Sequence, residues 1–299
     1  MSTDNRVDLS ALPFPDVLAT LDFEAELAEC KADLIGRYPS VADVLELESE
    51  PLVKLLETFA YRLLLKTGEI NAKAKALMLA YATGADLDHL AANRDVYRLL
   101  IQPENNIVVP PIAAIYESDD ALRRRVQLAP ERQAAGSKGA YQYWALSASG
   151  QVKDAGIDTP VAGTVDLWIQ SVNDSEAPQS LLNAVSTALD PDTRRPLTDL
   201  VNIHAATPFD FAIDATLILF PGPDSAVVLA TANAALDKYL NQVGYLGYDV
   251  TLSGIYAALH QGGVQKVILT SPTADLALPV SRYARCISRQ VLITEFRDV

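Results

Sequence analysis

The 299-residue sequence predicts an α+β protein, with a helical N-terminal region followed by two small α+β modules. Two observations predict this class. Through the first third of the chain, apolar residues recur every three or four positions, as on one face of an α-helix. From Val165 onward, apolar and polar residues alternate, which is the period of a half-buried strand. We therefore expect a helical region over residues 1–115, a middle α+β domain over 116–206 and a C-terminal α+β domain over 207–299.

The first helix is expected to end near Gly36. Its apolar residues are spaced by four, three and four positions, so they form one stripe along the helix. Cys30 belongs to this stripe, and packing explains it without any reactive role. The stripe consists of Phe23, Leu27, Cys30 and Leu34.

A longer helix is expected from Ser49 to Thr83. Pro51 falls in its first turn, where a missing N–H removes no hydrogen bond. A break near Thr67–Gly68 is the alternative to one unbroken helix. Apolar residues on more than one side of so long a helix predict a bundle with helices from other chains. The candidate interface residues on this helix are Leu52, Leu55, Leu56, Phe59, Leu63 and Ile70.

Two shorter features complete the helical region. A helix is expected over Leu87–Asn93, with the Asp86 side chain as its N-terminal cap. The segment Pro103–Pro111 has the composition of a linker and supports the boundary near residue 115.

An acidic and then arginine-rich segment should open the middle domain as a helix beginning at Ser118. Acidic residues suit the N-terminus of a helix because of its dipole. The spacing predicts the ion pairs Asp119–Arg123 and Asp120–Arg124. In a chain of net charge −14, the arginine run favours a solvated or acid-paired face over a phosphate site.

Strands and helices then alternate to the end of the chain. Two segments, 143–152 and 256–264, share the order helix, glycine and strand, which is a weak internal repeat. The expected elements are strands over 165–169, 201–205, 209–219 and 264–269, and helices over 178–189, 225–243 and 254–261.

Charge and composition exclude several functions. The chain has 24 basic and 38 acidic residues, a net charge of −14, which argues against nucleic acid and anionic membranes as partners. The longest run without charge, Val250–Gln265, is too short and polar to span a bilayer. Met1–Asp8 has no apolar core, so we expect no signal peptide. Cys30 and Cys286 are too few and too distant for a disulfide scaffold.

The sequence contains no recognisable arrangement of catalytic or metal-binding residues. His89, His204 and His260 lack the spacing of a zinc site, and no nucleophile motif accompanies them. We expect His204 to be a solvated residue of a strand and His260 to lie in the last turn of a helix. We therefore expect no catalytic residue, no cofactor-binding residue and no metal site. A hydrolase or transferase remains the enzymatic alternative, and it would require an apolar pocket with a perturbed carboxylate or histidine.

From about residue 45 to its end, the chain resembles the baseplate J-like proteins of contractile phage tails and phage-tail-like bacteriocins. Five segments occur in the order of that family. They are Ala85–Ala91, Glu117–Arg125, Gly139–Ala155, Arg195–Val201 and Gly247–Leu259.

The resemblance implies a structural wedge subunit that is not an enzyme. Two copies would associate with one tail-protein-I-like partner through a bundle that includes the Ser49–Thr83 helix. Residues beyond about 207 would contact neighbouring wedges, closing a ring around the hub and spike, and a lysozyme-like wedge protein would join them. The protein would reside in the virion or tail particle after assembly in the host cytoplasm. The alternative is an assembly chaperone or helical adaptor that the finished particle does not retain.

Overall fold

The computed structural model describes residues 9, 12–13, 15–173, 175–191, 194–222 and 224–296. The expectation about a signal peptide concerns Met1–Asp8, which lies outside the described residues. Helices followed by small sheets confirm the α+β class. The chain divides into two compact units, one within Arg6–Asp95 and one within Val96–Val299. The three-domain division at residues 115 and 206 stays a prediction.

The first unit is helical from its first regular element. Helix α1 (Phe23–Arg37) begins after Asp22, whose carboxylate accepts hydrogen bonds from the backbone N–H groups of Glu24 and Ala25. Its apolar stripe is half-buried, which confirms the predicted helix and its inner face. A 3₁₀ turn over Pro39–Val41 and the short helix α2 (Ala42–Leu45) follow.

Helix α3 (Pro51–Ala76) is the long helix of the first unit, about 39 Å at 1.5 Å per residue. It runs through Thr67–Gly68, so the predicted alternative of a break there is wrong. The expected end at Thr83 is also wrong. The last turn tightens because Leu77 donates to the Ala74 carbonyl three residues back, at 3.3 Å, and the α-helical ladder stops at Ala76.

Helix α4 (Gly84–Ala92) begins three residues earlier than predicted. Thr83 occupies the N-cap position, so the assignment of that role to Asp86 is wrong, and Asp86 lies in the first turn. Gly84 has a φ of +53°, a conformation that favours glycine, and this lets the chain turn into the helix early.

The second unit begins with a hairpin where the sequence suggested a linker. Strands β1 (Leu100–Gln102) and β2 (Ile115–Tyr116) pair antiparallel. Beyond them, Asn105 and Ile112 exchange backbone hydrogen bonds of 2.8 and 2.9 Å. The two arms of the segment therefore pair with each other, and the interpretation as an extended linker is wrong.

Helix α5 (Asp119–Leu128) starts as predicted, because the Ser118 hydroxyl accepts a hydrogen bond from the Ala121 N–H at 3.2 Å. The predicted Asp120–Arg124 pair is wrong, since Asp120 pairs with Arg123 and Arg124 finds its partner outside the helix. The Asp119–Arg123 pair stays a prediction. The pairs that form are Arg98–Asp119, Arg123–Asp120 and Arg124–Asp154. A 3₁₀ turn (Ala129–Gln133) and helix α6 (Lys138–Ala148) come next.

The middle sheet has the strand order β3-β4-β5. Strands β3 (Val152–Asp158) and β4 (Thr164–Ser171) are antiparallel, and β4 and β5 (Leu200–Ala205) are parallel because helix α7 (Gln179–Leu189) crosses between them. The inward side chains of β4 are buried, as the alternating pattern predicted.

The C-terminal sheet has the strand order β7-β6-β8. Its central strand is antiparallel to one neighbour and parallel to the other, as in the middle sheet. The elements in chain order are β6 (Thr207–Leu219), α8 (Ser225–Val243), α9 (Leu252–Leu259), β7 (Val264–Ser271) and β8 (Arg282–Phe296). Helix α9 begins before the predicted Gly254 because the Thr251 hydroxyl caps it, accepting from the Gly254 N–H at 3.1 Å.

Both segments of the internal repeat form the predicted helix, glycine and strand. Helix α6 leads through Gly150 into β3, and α9 leads through Gly263 into β7. A hydrophobic core of the second unit lies between β6 and helices α8 and α9. Its members include Ile213, Leu217, Leu236 and Ile255, each no more than 1% exposed.

Candidate interaction surfaces

The six interface residues predicted on α3 separate into two groups of three. Leu55, Phe59 and Ile70 are 63%, 55% and 62% exposed. The other three are half-buried: Leu52, Leu56 and Leu63. Exposed apolar side chains of this size are the feature that favours a partner surface.

Another face of α3, about 120° around the helix from these exposed residues, is already covered within the first unit. Helix α1 packs against it, and Val53 and Ala60 are buried there. Near the other end, the Asn71 side chain accepts from the Ala19 N–H at 3.0 Å and donates to the Ala19 carbonyl at 2.8 Å. These contacts determine which side of α3 remains accessible.

We call Leu55, Phe59 and Ile70 the α3 stripe. At about 100° per residue they lie within about 60° of one another around the helix. Leu77, just past the helix end and 76% exposed, extends the same line. Full burial of each such side chain is worth about 2 kcal/mol, so a partner helix would gain substantial free energy here.

A second exposed pair lies on another side of α3. Tyr61 and Leu65 are 54% and 52% exposed. The sequence analysis did not select these two residues. Their spacing of four positions was the available signal, and apolar residues on several sides had been noted without being assigned to separate surfaces.

Several charged side chains of α3 form ion pairs with one another. Lys66 and Lys73 both hold Glu69, at 2.7 and 2.8 Å. Their hydrogen bonds lower the pKa of Glu69 to about 2. Both lysines are largely exposed, and at about 100° per residue they lie in the same sector of the helix as the α3 stripe, on either side of Ile70 along the chain.

The hairpin of the second unit exposes an apolar tip. Ile107 and Val109 are 94% and 96% exposed. The Asn105 side chain accepts a hydrogen bond from the Ile107 N–H at 3.0 Å, which orders the turn before the tip. This surface was not predicted from the sequence, because the composition of the segment indicates a linker.

A buried ion pair lies beneath the start of α5. Arg125 donates to Glu117 at 2.5 Å and to the Tyr97 carbonyl at 3.0 Å, and both charged side chains are almost fully buried. Glu117 also accepts from the Leu99 N–H at 2.9 Å. Burial raises the pKa of Glu117, against the opposing effect of Arg125. The predicted acid-paired arginine face is confirmed, and this pair ties α5 to the segment before it.

A polar contact joins the middle and C-terminal sheets. The buried Asp154 carboxylate holds Arg124 and accepts from the Leu246 N–H at 3.0 Å. The Gln170 side chain donates to the Gly244 carbonyl at 3.0 Å. These bonds connect β3 and β4 to the segment after α8, so the two sheets share one set of buried hydrogen bonds.

The histidines do not come together. His204 stacks on Trp168 with ring centroids 4.6 Å apart, and its Nε2 lies 3.6 Å from an Asp166 oxygen. The ring is therefore partly exposed and packed, rather than simply solvated as expected. His89 is exposed, and His260 ends α9 as predicted. Within the described ranges, no group of three or more His, Cys, Asp or Glu residues could hold a metal ion.

We also searched the helices for one that could span a membrane. Among the helices of the described residues, none combines the length and the apolar character that crossing a bilayer requires.

These features together define an assembly protein, since the first unit presents apolar helix surface and the second presents an apolar loop. Family models of the baseplate J-like N-terminal, central and C-terminal domains match residues 48–105, 133–205 and 211–289. The chain therefore belongs to the baseplate J-like family of structural baseplate proteins, which confirms the resemblance seen in the sequence.

A relative and a solved structure accompany the family match. Baseplate protein J of Escherichia phage P2 is 44% identical over 300 residues, covering 98% of this chain and 97% of the relative. The cryo-EM structure of the anti-feeding prophage baseplate, 6-fold symmetrised, contains a chain with 15% identity and a TM-score of 0.37. That match covers 62% of this chain and 48% of the other, so this chain spans about half of its length.

Proposed function

We propose that this chain is a wedge subunit of a contractile phage tail or phage-tail-like bacteriocin baseplate. Its α3 stripe would pack against helices of neighbouring subunits. The observation that carries the proposal is the exposure of Leu55, Phe59 and Ile70 on a helix that α1 packs against on a different face. A single chain thus supplies only part of a helical bundle.

The partners proposed for the bundle are a second copy of this chain and one tail-protein-I-like subunit. Two exposed sides on α3, the α3 stripe and the Tyr61–Leu65 pair, suit contact with more than one neighbouring helix. We further propose that residues beyond 207 contact neighbouring wedges around the hub and spike, and that a lysozyme-like wedge protein joins them. Family membership supports these partners.

The proposed role requires no bond-making chemistry and no cofactor. Glu117 is the buried carboxylate with a raised pKa, and its partners Arg125 and Leu99 belong to the chain itself. Such an arrangement fits a structural ion pair. The proposal places the protein in the virion or tail particle, after assembly in the host cytoplasm.

The test is recovery of the complex with the tail-protein-I-like subunit after Leu55→Asp or Phe59→Asp. Each substitution would bury a charge without a partner, so recovery should fall about tenfold or more. Ala32→Asp, on the exposed side of α1, is the matched control and should leave recovery unchanged. Unaltered recovery with both α3 variants would refute the assignment of this surface.

The chaperone alternative makes a different prediction about purified particles. A wedge subunit is retained in the finished baseplate, whereas a chaperone or adaptor leaves before completion. Mass spectrometry of purified particles should detect this chain in a fixed ratio to the other baseplate proteins. Its absence from intact particles would support the alternative.

A further inference from the structure

Strand β8 forms one edge of the C-terminal sheet and runs for 15 residues. One side of it pairs in parallel with β6 along its whole length. On its other side, a bridge between Leu246 and Tyr283 and a hydrogen bond from the Gly247 N–H to the Arg282 carbonyl cover its start. Beyond Tyr283, no strand within the described part of the chain pairs with that outer edge.

The regular part of this edge is Ser288–Ile293. Register shifts against β6 on both sides of it mark irregularities before Ser288 and after Ile293. Within it, Val291 and Ile293 pack against the core, whereas Leu292 on the alternate face is 48% exposed. The stretch is therefore firmly attached on its inner face and accessible at its edge.

Natural sheets normally protect such an edge with prolines, charges or a covering segment. Ser288–Ile293 contains no proline and one charged residue, Arg289, whose guanidinium is held by Asp237 of α8. The opposite edge strand, β7, carries Lys266 as an exposed charge in its middle. The two edges of one sheet thus differ, and the β8 edge is the one left without protection.

We propose that the outer edge of β8 over Ser288–Ile293 pairs with the same edge of a second copy of this chain. The two strands would run antiparallel across a two-fold axis and double the three-stranded sheet. A strand edge rotated by this axis places each exposed N–H opposite a carbonyl of the other copy, so the surface is complementary to itself. No other partner needs to be supplied for its hydrogen bonds to be satisfied.

The inference deepens the proposed function, because it assigns a surface to the contact between copies in the C-terminal domain. It rests on that proposal only for the expectation that more than one copy assembles. The α3 stripe lies in the first unit, so the two surfaces can be tested independently of each other.

The first test is the oligomeric state of the full chain by sedimentation velocity over a concentration series. Leu292→Lys would place like charges close to the axis, and the dimer dissociation constant should rise about tenfold or more. Ile268→Lys on β7 is the matched control, since Ile268 is 41% exposed on the other edge strand, and it should behave as the unmodified chain. Equal thermal midpoints for the two variants would show that folding is unaffected.

The second test maps the pairing directly. Single cysteines replace Ser288, Gln290 or Leu292 in a chain whose Cys30 and Cys286 are changed to Ser, and disulfide formation is measured. The position nearest the axis should cross-link to its own copy efficiently, while Ile268→Cys should not. A chain that stays monomeric at every concentration, or cross-linking at Ile268 equal to that on β8, would overturn the proposal.

The two proposals fail in distinguishable ways. Leu292→Lys should bind the tail-protein-I-like subunit as the unmodified chain does, and Leu55→Asp should retain the β8 dimer. Loss of partner binding in Leu292→Lys would show that β8 is not a separate surface between copies. A retained β8 dimer with unaltered partner binding in Leu55→Asp would refute the α3 assignment alone.

Discussion

The two units of the chain use their apolar residues differently. In the first unit, α1 contains no fully buried residue and α3 only Val53 and Ala60, while Leu55 and Ile70 remain more than half exposed. In the second unit, Leu217 and its neighbours on β6 lie in a core with almost no exposure. The second unit therefore has a core of its own, and the first unit is expected to be completed by other subunits.

The difference follows from geometry. A helix with apolar residues on several sides needs several neighbours, and α1 covers only one side of α3. A sheet presents one inner face, which α8 and α9 cover together. Apolar residues thus form a closed core in one unit and an open surface in the other.

The largest effect is expected from breaking the buried pair of the second unit. Arg125→Met would leave the Glu117 charge buried without its guanidinium, and the free energy of unfolding should fall by about 4 kcal/mol. Both tryptophans, Trp144 and Trp168, lie in the second unit, so fluorescence-monitored urea unfolding reports on this unit alone. The double variant Glu117→Gln/Arg125→Met should recover much of the loss. Equal losses in the single and double variants would contradict the ion-pair explanation.

The same pair predicts a pH dependence. Burial raises the pKa of Glu117 in the folded state, so the folded chain binds this proton more tightly than the unfolded chain does. The stability contributed by this protonation is fully present below the ordinary value of 4.5 and is lost as the pH rises through the raised pKa. Glu117→Gln should lack this dependence when unfolding is measured across that range.

An intermediate effect on the free energy of unfolding is expected when one leucine of each unit is shortened to alanine and the two variants are compared. Leu217→Ala would open a cavity in the core of the second unit and should lower the free energy of unfolding by about 3 kcal/mol. Leu55→Ala, on the exposed α3 stripe, should change the stability of the isolated chain by less than about 0.5 kcal/mol. Hydrogen exchange resolved by segment measures the stability of each unit in the two variants. A large loss from Leu55→Ala in the isolated chain would mean that the stripe is already packed.

The smallest effect is expected at the exposed pair between β6 and β8. Arg285 donates to both Asp210 oxygens, at 2.6 and 2.8 Å, and its hydrogen bond lowers the pKa of Asp210. The resulting stability is present above the ordinary value of 3.8 and is lost as the pH falls through the lowered pKa. Asp210→Asn should therefore remove a slight dependence at acidic pH and leave neutral-pH unfolding nearly unchanged. A large loss at neutral pH would contradict this interpretation.

Local periodicity predicted the regular elements of the second unit well. Helix α8 has the expected bounds, and the long alternation of β6 gave its buried face, because each pattern extends over many residues. The Asp120–Arg124 pair was wrong because Arg124 pairs with Asp154, a residue distant in sequence, and helical spacing does not contain that information.

The surface residues were predicted only in part, for a related reason. The periodicity of α3 gave an apolar side, but periodicity does not contain the tertiary contacts that leave Leu52 half-buried and Leu55 exposed. The exposed hairpin tip at Ile107 was not predicted, because the prolines and asparagines of this segment are typical of a linker. The two arms that pair there are too short to show a strand pattern. That β8 is an edge strand could be recognised only once the strand order was known.

We propose that other subunits cover the α3 stripe in the assembled baseplate. The most direct measurement is maleimide labelling of Leu55→Cys in the free chain and in purified particles, with Ala32→Cys on α1 as the control and Cys30 and Cys286 changed to Ser. We predict that the thiol at position 55 reacts readily in the free chain and is protected in the particle, while the thiol at position 32 reacts in both. Full reactivity at position 55 in intact particles would contradict the account.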